Sequence, residues 1–149
     1  MRRLFVLAFI ASLAIVSSAI VVRAADSPTI VLADQVKFEP APAPYPPRAM
    51  MAVLSGDPSQ AGSPYTVRLS LPDGVRIAPH THGDKENVTV ISGTLMVGVG
   101  TAFDAAHMIA LPAGSFVSIP AGTPHFAMAQ GDTILQVTGI GPASMTLTK

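Results

Sequence analysis

Short alternating segments separated by turn residues make up the chain from Met50 onward, and this spacing constrains the fold more than any other feature. Residues 65–71 alternate, with Val67, Leu69 and Leu71 on one face and polar side chains on the other. Clusters of glycine, proline, serine and aspartate recur about every eight to twelve positions. Past the first 24 residues, no segment has an apolar helical stripe bounded by capping residues. The pattern predicts an all-β sandwich or closed barrel.

The predicted strands all fit into one domain over residues 50–149. They cover residues 50–54, 65–71, 86–91, 94–99, 108–111, 115–119, 124–129, 133–138 and 143–147. Ser92 and Gly93 are expected to form a turn between two of them. The length is enough for one domain with a sizeable buried centre, and no repeat or second domain is evident.

The first 24 residues resemble a secretory signal peptide. Arg2 and Arg3 form a basic start, residues 4–22 are apolar apart from three serines, and small residues follow at Ala24 and Ala25. Cleavage is therefore predicted after Ala24. The alternative is an uncleaved membrane anchor, because the apolar run is almost long enough to span a bilayer. Either interpretation places the folded domain outside the cytoplasm. A bacterial periplasm is the expected location, and secretion is the alternative.

Charge and cysteine content exclude several classes of partner. The chain has nine basic and nine acidic residues, and three of its arginines lie in the predicted signal peptide. The remaining six basic and nine acidic residues leave a net charge of about −3, which argues against a nucleic-acid partner or, after cleavage, a membrane partner. The absence of cysteine rules out disulfides and thiolate ligands, so stability must come from the core, to which a bound metal could add.

Residues 25–49 form an extended, proline-rich arm. Five prolines occur within residues 40–47, and this density favours extended, polyproline-like chain. The arm is either a strap that lies over the barrel or a partner subunit, or a spacer between the export signal and the domain.

Three of the four histidines, together with one glutamate, have a spacing that suits a divalent transition metal. His80 and His82 are two residues apart, so on one strand their side chains face the same way. Glu86 keeps that parity, and His125 must come from a neighbouring strand. Four ligands of this kind leave two positions open on a six-coordinate metal, whereas tetrahedral zinc would be closed.

The same residues resemble the two motifs of the cupin superfamily. The first motif consists of Gly74, His80, His82, Glu86 and Gly93, separated by five, one, three and six residues in that order. The second motif consists of Gly114, Pro120, Gly122 and His125, separated by five, one and two residues in that order. The resemblance covers about residues 64–138 and implies a double-stranded β-helix, or jelly-roll, barrel that is often a homodimer. It also implies that His80, His82, Glu86 and His125 bind one metal in the barrel mouth.

Ala129 departs from the family pattern, in which asparagine often follows the last histidine by four residues. Strand parity places Ala129 on the inner face with His125, so a roomier and more apolar pocket is expected there.

Other polar residues near the motifs are expected to have surface roles. His107 has no partner in the pattern, and a solvent-exposed or edge position is favoured over support of a ligand. Asp84 and Lys85 are expected to be solvated, and Arg76 to lie on the surface rather than to hold an anionic substrate.

Three functions are compatible with these residues. The first is a metal-dependent enzyme, of the dioxygenase type or related to it, that acts on a small organic molecule, with Glu86 as a possible proton relay. The second is a non-enzymatic periplasmic module that binds a metal or a small ligand. The third is a structural barrel with an unused site. The metal could be iron, manganese, nickel, copper or zinc, because ligand type alone does not select among them.

Overall fold

A computed structural model describes residues 27–149, so the predicted signal peptide of residues 1–24 lies outside the described residues. The strands are β1 Glu39–Pro40, β2 Met50–Ser55, β3 Pro64–Leu71, β4 Arg76–Thr81, β5 Glu86–Val99, β6 Ile109–Pro112, β7 Phe116–Ile119, β8 His125–Ile140 and β9 Thr146–Leu147. Two 3-10 helices, Ala33–Gln35 and Ala105–His107, complete the structure. Within residues 27–149, no helix has the length and apolarity needed to cross a bilayer. The predicted all-β class is confirmed.

The long strands β5 and β8 organise the sheet. They pair antiparallel from Asn87↔Thr138 to Val99↔His125. The other edge of β8 is shared by β3 and β4, while β5 also pairs with β6 and β7. The sheet therefore curls around one core instead of remaining flat, as the jelly-roll prediction requires.

The predicted turn at Ser92 and Gly93 is wrong, because β5 continues through it. The pairing register shifts twice, between Val90 and Ser92 and again before Thr94, so the position is a β-bulge. The bulge changes which side chains face inward, from Val88 and Val90 to Leu95 and Val97. The predicted pair of strands at 124–129 and 133–138 is likewise one strand, β8.

The core lies inside the curled sheet and follows the predicted alternation of β3. Val67, Leu69 and Leu71 are buried, and residues between them are only half-buried. Side chains from β5 and β8, among them Val90 and Leu135, complete the cluster. Burial of these alternating apolar faces is the main stabilising contribution to the fold.

Residues 42–45 of the arm and residues 143–145 near the end of the chain line one cavity at the barrel mouth. The arm is tied back by a hydrogen bond from Ala41 N to Ala49 O (2.9 Å), and β1 pairs with β2. At the other end, only Thr146–Leu147 of the predicted strand 143–147 is a strand, and it pairs with β4 beside His80. The arm is thus a strap over the barrel rather than only a spacer.

Candidate metal centre

Strand ends bring the four predicted ligands together. His80 lies in β4 directly opposite His125, the first residue of β8. His82 follows the end of β4, and Glu86 is the first residue of β5. Because these strands start or finish at the same end of the barrel, residues far apart in the sequence meet in its mouth.

The three histidines form a compact group. One nitrogen from each of His80, His82 and His125 lies within 4.8 Å of the others, and the Nε2 atoms of His80 and His82 are 3.1 Å apart. Glu86 lies beside this group, with its Oε2 atom 3.4 Å from Nε2 of His82 and 3.5 Å from Nε2 of His125. The set offers three imidazole nitrogens and one carboxylate, donors that suit a divalent transition metal.

Backbone carbonyls fix the tautomer of all three imidazoles. The Nδ1 atoms of His80 and His125 lie 2.7 Å and 3.0 Å from the carbonyl oxygens of Ala78 and Thr123. The Nδ1 atom of His82 lies 2.6 Å from the carbonyl oxygen of Ser144. A carbonyl oxygen can only accept, so each Nδ1 carries the hydrogen and each neutral ring keeps its lone pair on Nε2. The donor set therefore fits a metal.

Burial and mutual contact shift the pKa values of these groups in different directions. Burial lowers the pKa of His80 to about 4, so this ring is neutral at physiological pH. Burial also opposes the charged form of His125, but Glu86 and the Thr123 carbonyl outweigh it and raise the pKa of His125. Burial would raise the pKa of Glu86, yet contact with the three imidazoles holds it below its usual value. Glu86 is therefore a carboxylate.

Two cavities adjoin the group. The larger, of about 250 Å³, is lined by His82 and Glu86 at one end and by residues of the arm and the chain end, such as Tyr45 and Met145. The smaller, of about 30 Å³, lies towards the core beneath His80 and His125. A ligand in the larger cavity would reach the His82 and Glu86 side of the group.

The structure places the other predicted residues away from the group, and one prediction needs correction. Ala129 packs in the hydrophobic core and does not line either of the two cavities beside the histidines, so the pocket expected there is wrong. His107 is exposed and contacts Asp104 (2.7 Å). Arg76 is exposed over the Phe103 ring.

Asp84 and Lys85 differ from each other. Lys85 is exposed, as predicted. Asp84 is half-buried, because its Oδ2 atom accepts a hydrogen bond from the backbone N–H of Ile140 (2.7 Å). The role of Asp84 is thus to hold the end of β8 rather than to remain only solvated.

Sequence reasoning missed the residues that close the cavity. Tyr45 comes from the arm, Tyr65 from β3, and Ser144 and Met145 from the end of the chain. None belongs to either motif. The one available signal was a lone tyrosine within the proline-rich arm, which a simple spacer does not need.

The sequence comparison identifies the family. The family model described as "Cupin domain" matches residues 67–141, half of the chain, and these residues include all four of His80, His82, Glu86 and His125. The chain belongs to the cupin family. Among curated proteins, no sequence match is found.

Similar solved structures share the fold at low identity. The polyketide cyclase RemF from Streptomyces resistomycificus is 17% identical, with a TM-score of 0.68 over 83% of this chain and 87% of that one. A putative acetylacetone dioxygenase from Methylibium petroleiphilum is 21% identical, with a TM-score of 0.66 over 85% of each chain. An RmlC-like cupin from Shewanella frigidimarina is 18% identical, with a TM-score of 0.59 over 76% and 91%. These likenesses establish the cupin double-stranded β-helix as the fold.

Acid is expected to weaken metal binding. Protons compete with metal for Nε2, so affinity should fall about tenfold per pH unit once the pH drops below the raised pKa of His125. His80 should add its own competing proton only near pH 4. Competition with a chelator of known affinity, from pH 8 to pH 4, measures this. Undiminished affinity at pH 5 would show that these imidazoles do not bind the metal.

Proposed function

We propose that the protein is a metal-dependent enzyme, of the dioxygenase type or a related oxidoreductase, that acts on a small organic molecule. His80, His82, His125 and Glu86 would hold one divalent transition metal, which could be iron, manganese, nickel, copper or zinc. The proposal depends on one arrangement: three Nε2 lone pairs converge beside a carboxylate at the end of a cavity large enough for a small molecule.

The donor set supports a reactive site more than a closed one. Three imidazoles and one carboxylate leave open positions on a metal that prefers more than four ligands. A bound metal of this kind supplies a Lewis acid for substrate oxygens and, if it is iron or copper, a redox centre. The side chains of His82 and Glu86 remain 13% and 11% exposed, on the side of the larger cavity. Substrate therefore has a route to these two side chains.

Glu86 is suited to move a proton. Its carboxylate lies between the histidines and the larger cavity, with Oε2 close to two imidazoles. Because this carboxyl is ionised, Oε2 can accept a proton from a bound substrate hydroxyl or acidic carbon. In this role Glu86 would loosen from the metal as it takes the proton.

The similar structures carry different reaction names, including a cyclase and a dioxygenase, so the reaction type is proposed from the donor set and the cavity. The dioxygenase proposal is consistent with the putative acetylacetone dioxygenase among them, and 1,3-diketones and phenols are the first substrates to test.

Oxygen consumption tests the proposal directly. Protein loaded separately with Fe(II), Mn(II), Ni(II) or Cu(II) would be mixed with a panel of phenols and 1,3-diketones in an oxygen electrode. We expect consumption with at least one pair, lost in His125→Ala and retained in His107→Ala, whose side chain is 82% exposed. Tight metal binding without consumption for any pair would contradict the enzyme and favour the non-enzymatic binding module.

We also propose that the protein acts in the periplasm, or is secreted, after removal of residues 1–24, and that it forms a homodimer. The basic start, the apolar run and the small residues at the exit support export. Mature protein from the native compartment should begin at Ala25 by N-terminal sequencing and elute at twice the monomer mass. Full-length chain in a membrane pellet would contradict cleavage.

A further inference from the structure

Tyr45 lies where the two cavities meet. Among the residues that the structure describes, four line both of them: Tyr45, Glu86, Val137 and Met145. Of these, Glu86 and Tyr45 are the polar side chains, and the negative charge of Glu86 acts on the Tyr45 phenol. A molecule that extends from the larger cavity towards His80 and His125 in the smaller one therefore lies beside Tyr45.

The walls of the larger cavity are apolar and carry no positive charge. Prolines of the arm, together with Met51, Val67 and Met145, supply most of the surface. Among the described residues that line it there is no lysine or arginine, and the polar side chains other than His82 and Glu86 are two tyrosines and two serines. An anionic group placed here would lose water without gaining a cationic partner, which is unfavourable.

The arm holds Tyr45 in place through its own backbone. Tyr45 N donates to Pro42 O (3.0 Å), and Ala49 N donates to Pro46 O (2.9 Å). The residues on both sides of Tyr45 are thus fixed in turns, and β1 attaches the arm to β2. A side chain on such a backbone can be an ordered part of a binding site.

The phenol of Tyr45 is a hydrogen-bond donor at all physiological pH values. Burial raises its pKa, and the charges of Glu86 and Tyr65 raise it further. The hydroxyl therefore stays protonated and can donate its hydrogen to a ligand oxygen.

We propose that Tyr45 is a specificity-determining residue that donates a hydrogen bond to an oxygen at the metal-facing end of a small ligand whose remaining body is uncharged and apolar. This inference rests on the proposed function, because a metal-facing end of the ligand requires a metal at the histidines. Substrates that would place an anionic group in this cavity, such as dicarboxylates or phosphorylated sugars, are disfavoured by an apolar wall that has no lysine or arginine among its described residues. Small neutral phenols and ketones satisfy both requirements.

Isothermal titration calorimetry of the Ni(II)-loaded protein with two matched probes, under anaerobic conditions, tests this. Nickel is chosen because it leaves coordination positions open beside the four protein ligands, and the absence of oxygen prevents oxidation of the probes. The probes 4-methylcatechol and 3,4-dihydroxybenzoate present the same pair of oxygens and differ in a remote methyl or carboxylate group. We expect 4-methylcatechol to bind at least about tenfold more tightly, since the carboxylate would be desolvated without a partner.

The variant Tyr45→Phe keeps the ring and removes the hydroxyl. It should weaken binding of 4-methylcatechol about tenfold, which corresponds to the loss of one hydrogen bond, while nickel affinity and melting temperature stay near those of the wild type. The matched variant Tyr65→Phe removes the other phenolic hydroxyl in the cavity. A smaller loss is expected there, because Tyr65 lines only the larger cavity.

Three results would overturn the inference: equal or tighter binding of 3,4-dihydroxybenzoate, unchanged binding of 4-methylcatechol in Tyr45→Phe, or binding of neither probe. Turnover is measured separately by oxygen consumption. If the expected binding pattern is found without turnover, the role of Tyr45 is supported and the proposed enzymatic function is contradicted. If turnover is found without this binding pattern, the enzymatic function is supported and the role of Tyr45 is contradicted.

Discussion

Replacing His82 by alanine is expected to lower the affinity for a divalent transition metal by more than about 100-fold. Mutation of a residue that only supports a metal ligand already lowers metal affinity by about 10–100-fold, and His82 is itself a proposed ligand. His82 supplies one of three Nε2 atoms, and its ring is held by the carbonyl oxygen of Ser144. Removing the ring leaves three donors, from His80, His125 and Glu86, so the metal loses one of its four bonds to the protein.

The affinity can be read from the protein's own fluorescence. The chain has no tryptophan and two tyrosines, Tyr45 and Tyr65, and both line the cavity next to His82. Cu(II) bound at the histidines should quench this emission. The midpoint of quenching should shift in His82→Ala and stay unchanged in the control His107→Ala, which removes an exposed imidazole.

The same substitution should remove metal-dependent stability. A ligand that binds only the folded state at 100 times its Kd stabilises that state by about 2.7 kcal/mol, or about 10 °C in Tm for a domain of this size. Wild-type protein should show this shift when metal is added, and His82→Ala should not. An equal shift in both proteins would place the metal elsewhere.

Replacing Gly93 by alanine is expected to lower the free energy of unfolding by about 3–5 kcal/mol. Gly93 has φ +76°, a conformation that disfavours other residues. An added Cβ would also meet the carbonyl oxygen of Asp132, Thr133 Oγ1 (2.6 Å) and Thr133 Cα (2.8 Å). Thr133 is 1% exposed and hydrogen-bonds to Thr94 O (3.1 Å), so the strand cannot move away easily.

Gly74 provides a matched control. It has φ +72°, but no atom lies within 4 Å of the position that an added Cβ would occupy. Gly74→Ala should therefore cost only the backbone strain, about 1–2 kcal/mol. Urea unfolding of both variants measures the difference, and equal losses would show that β5 and β8 do not approach closely at the bulge.

Part of the candidate site could be predicted from the sequence because that part has local geometry. His80 and His82 are two residues apart in the sequence. Glu86 and His125 are the first residues of β5 and β8, and turn-forming residues precede both strands. The alternation of Val67, Leu69 and Leu71 similarly predicted an inward face, since side-chain parity follows from strand geometry alone.

The bulge at Gly93 could not be predicted in this way. A serine-glycine pair between alternating segments is also the signal for a turn. The choice depends on β8, in which residues 131–133 lie opposite Gly93 without a partner in β5 before pairing resumes at Thr94↔Gln130. Only the partner strand decides between the two outcomes.

The cavity could not be predicted either, because its walls come from both ends of the described chain. Tyr45 and Met145 are 100 positions apart and meet only after the barrel has closed. The expectation at Ala129 had the correct parity but the wrong depth, since that side chain lies in the core. Side-chain parity predicts which face of the sheet a residue occupies. Its position along the barrel depends on the pairing register of all the strands.

Anomalous diffraction from crystals of the metal-loaded protein, recorded at the absorption edge of the bound element, tests the central claim most directly. We predict one strong peak about 2.0–2.2 Å from the Nε2 atoms of His80, His82 and His125, with a Glu86 oxygen at similar distance. A peak at His107, coordination through any Nδ1 atom, or no peak at the barrel mouth would contradict it.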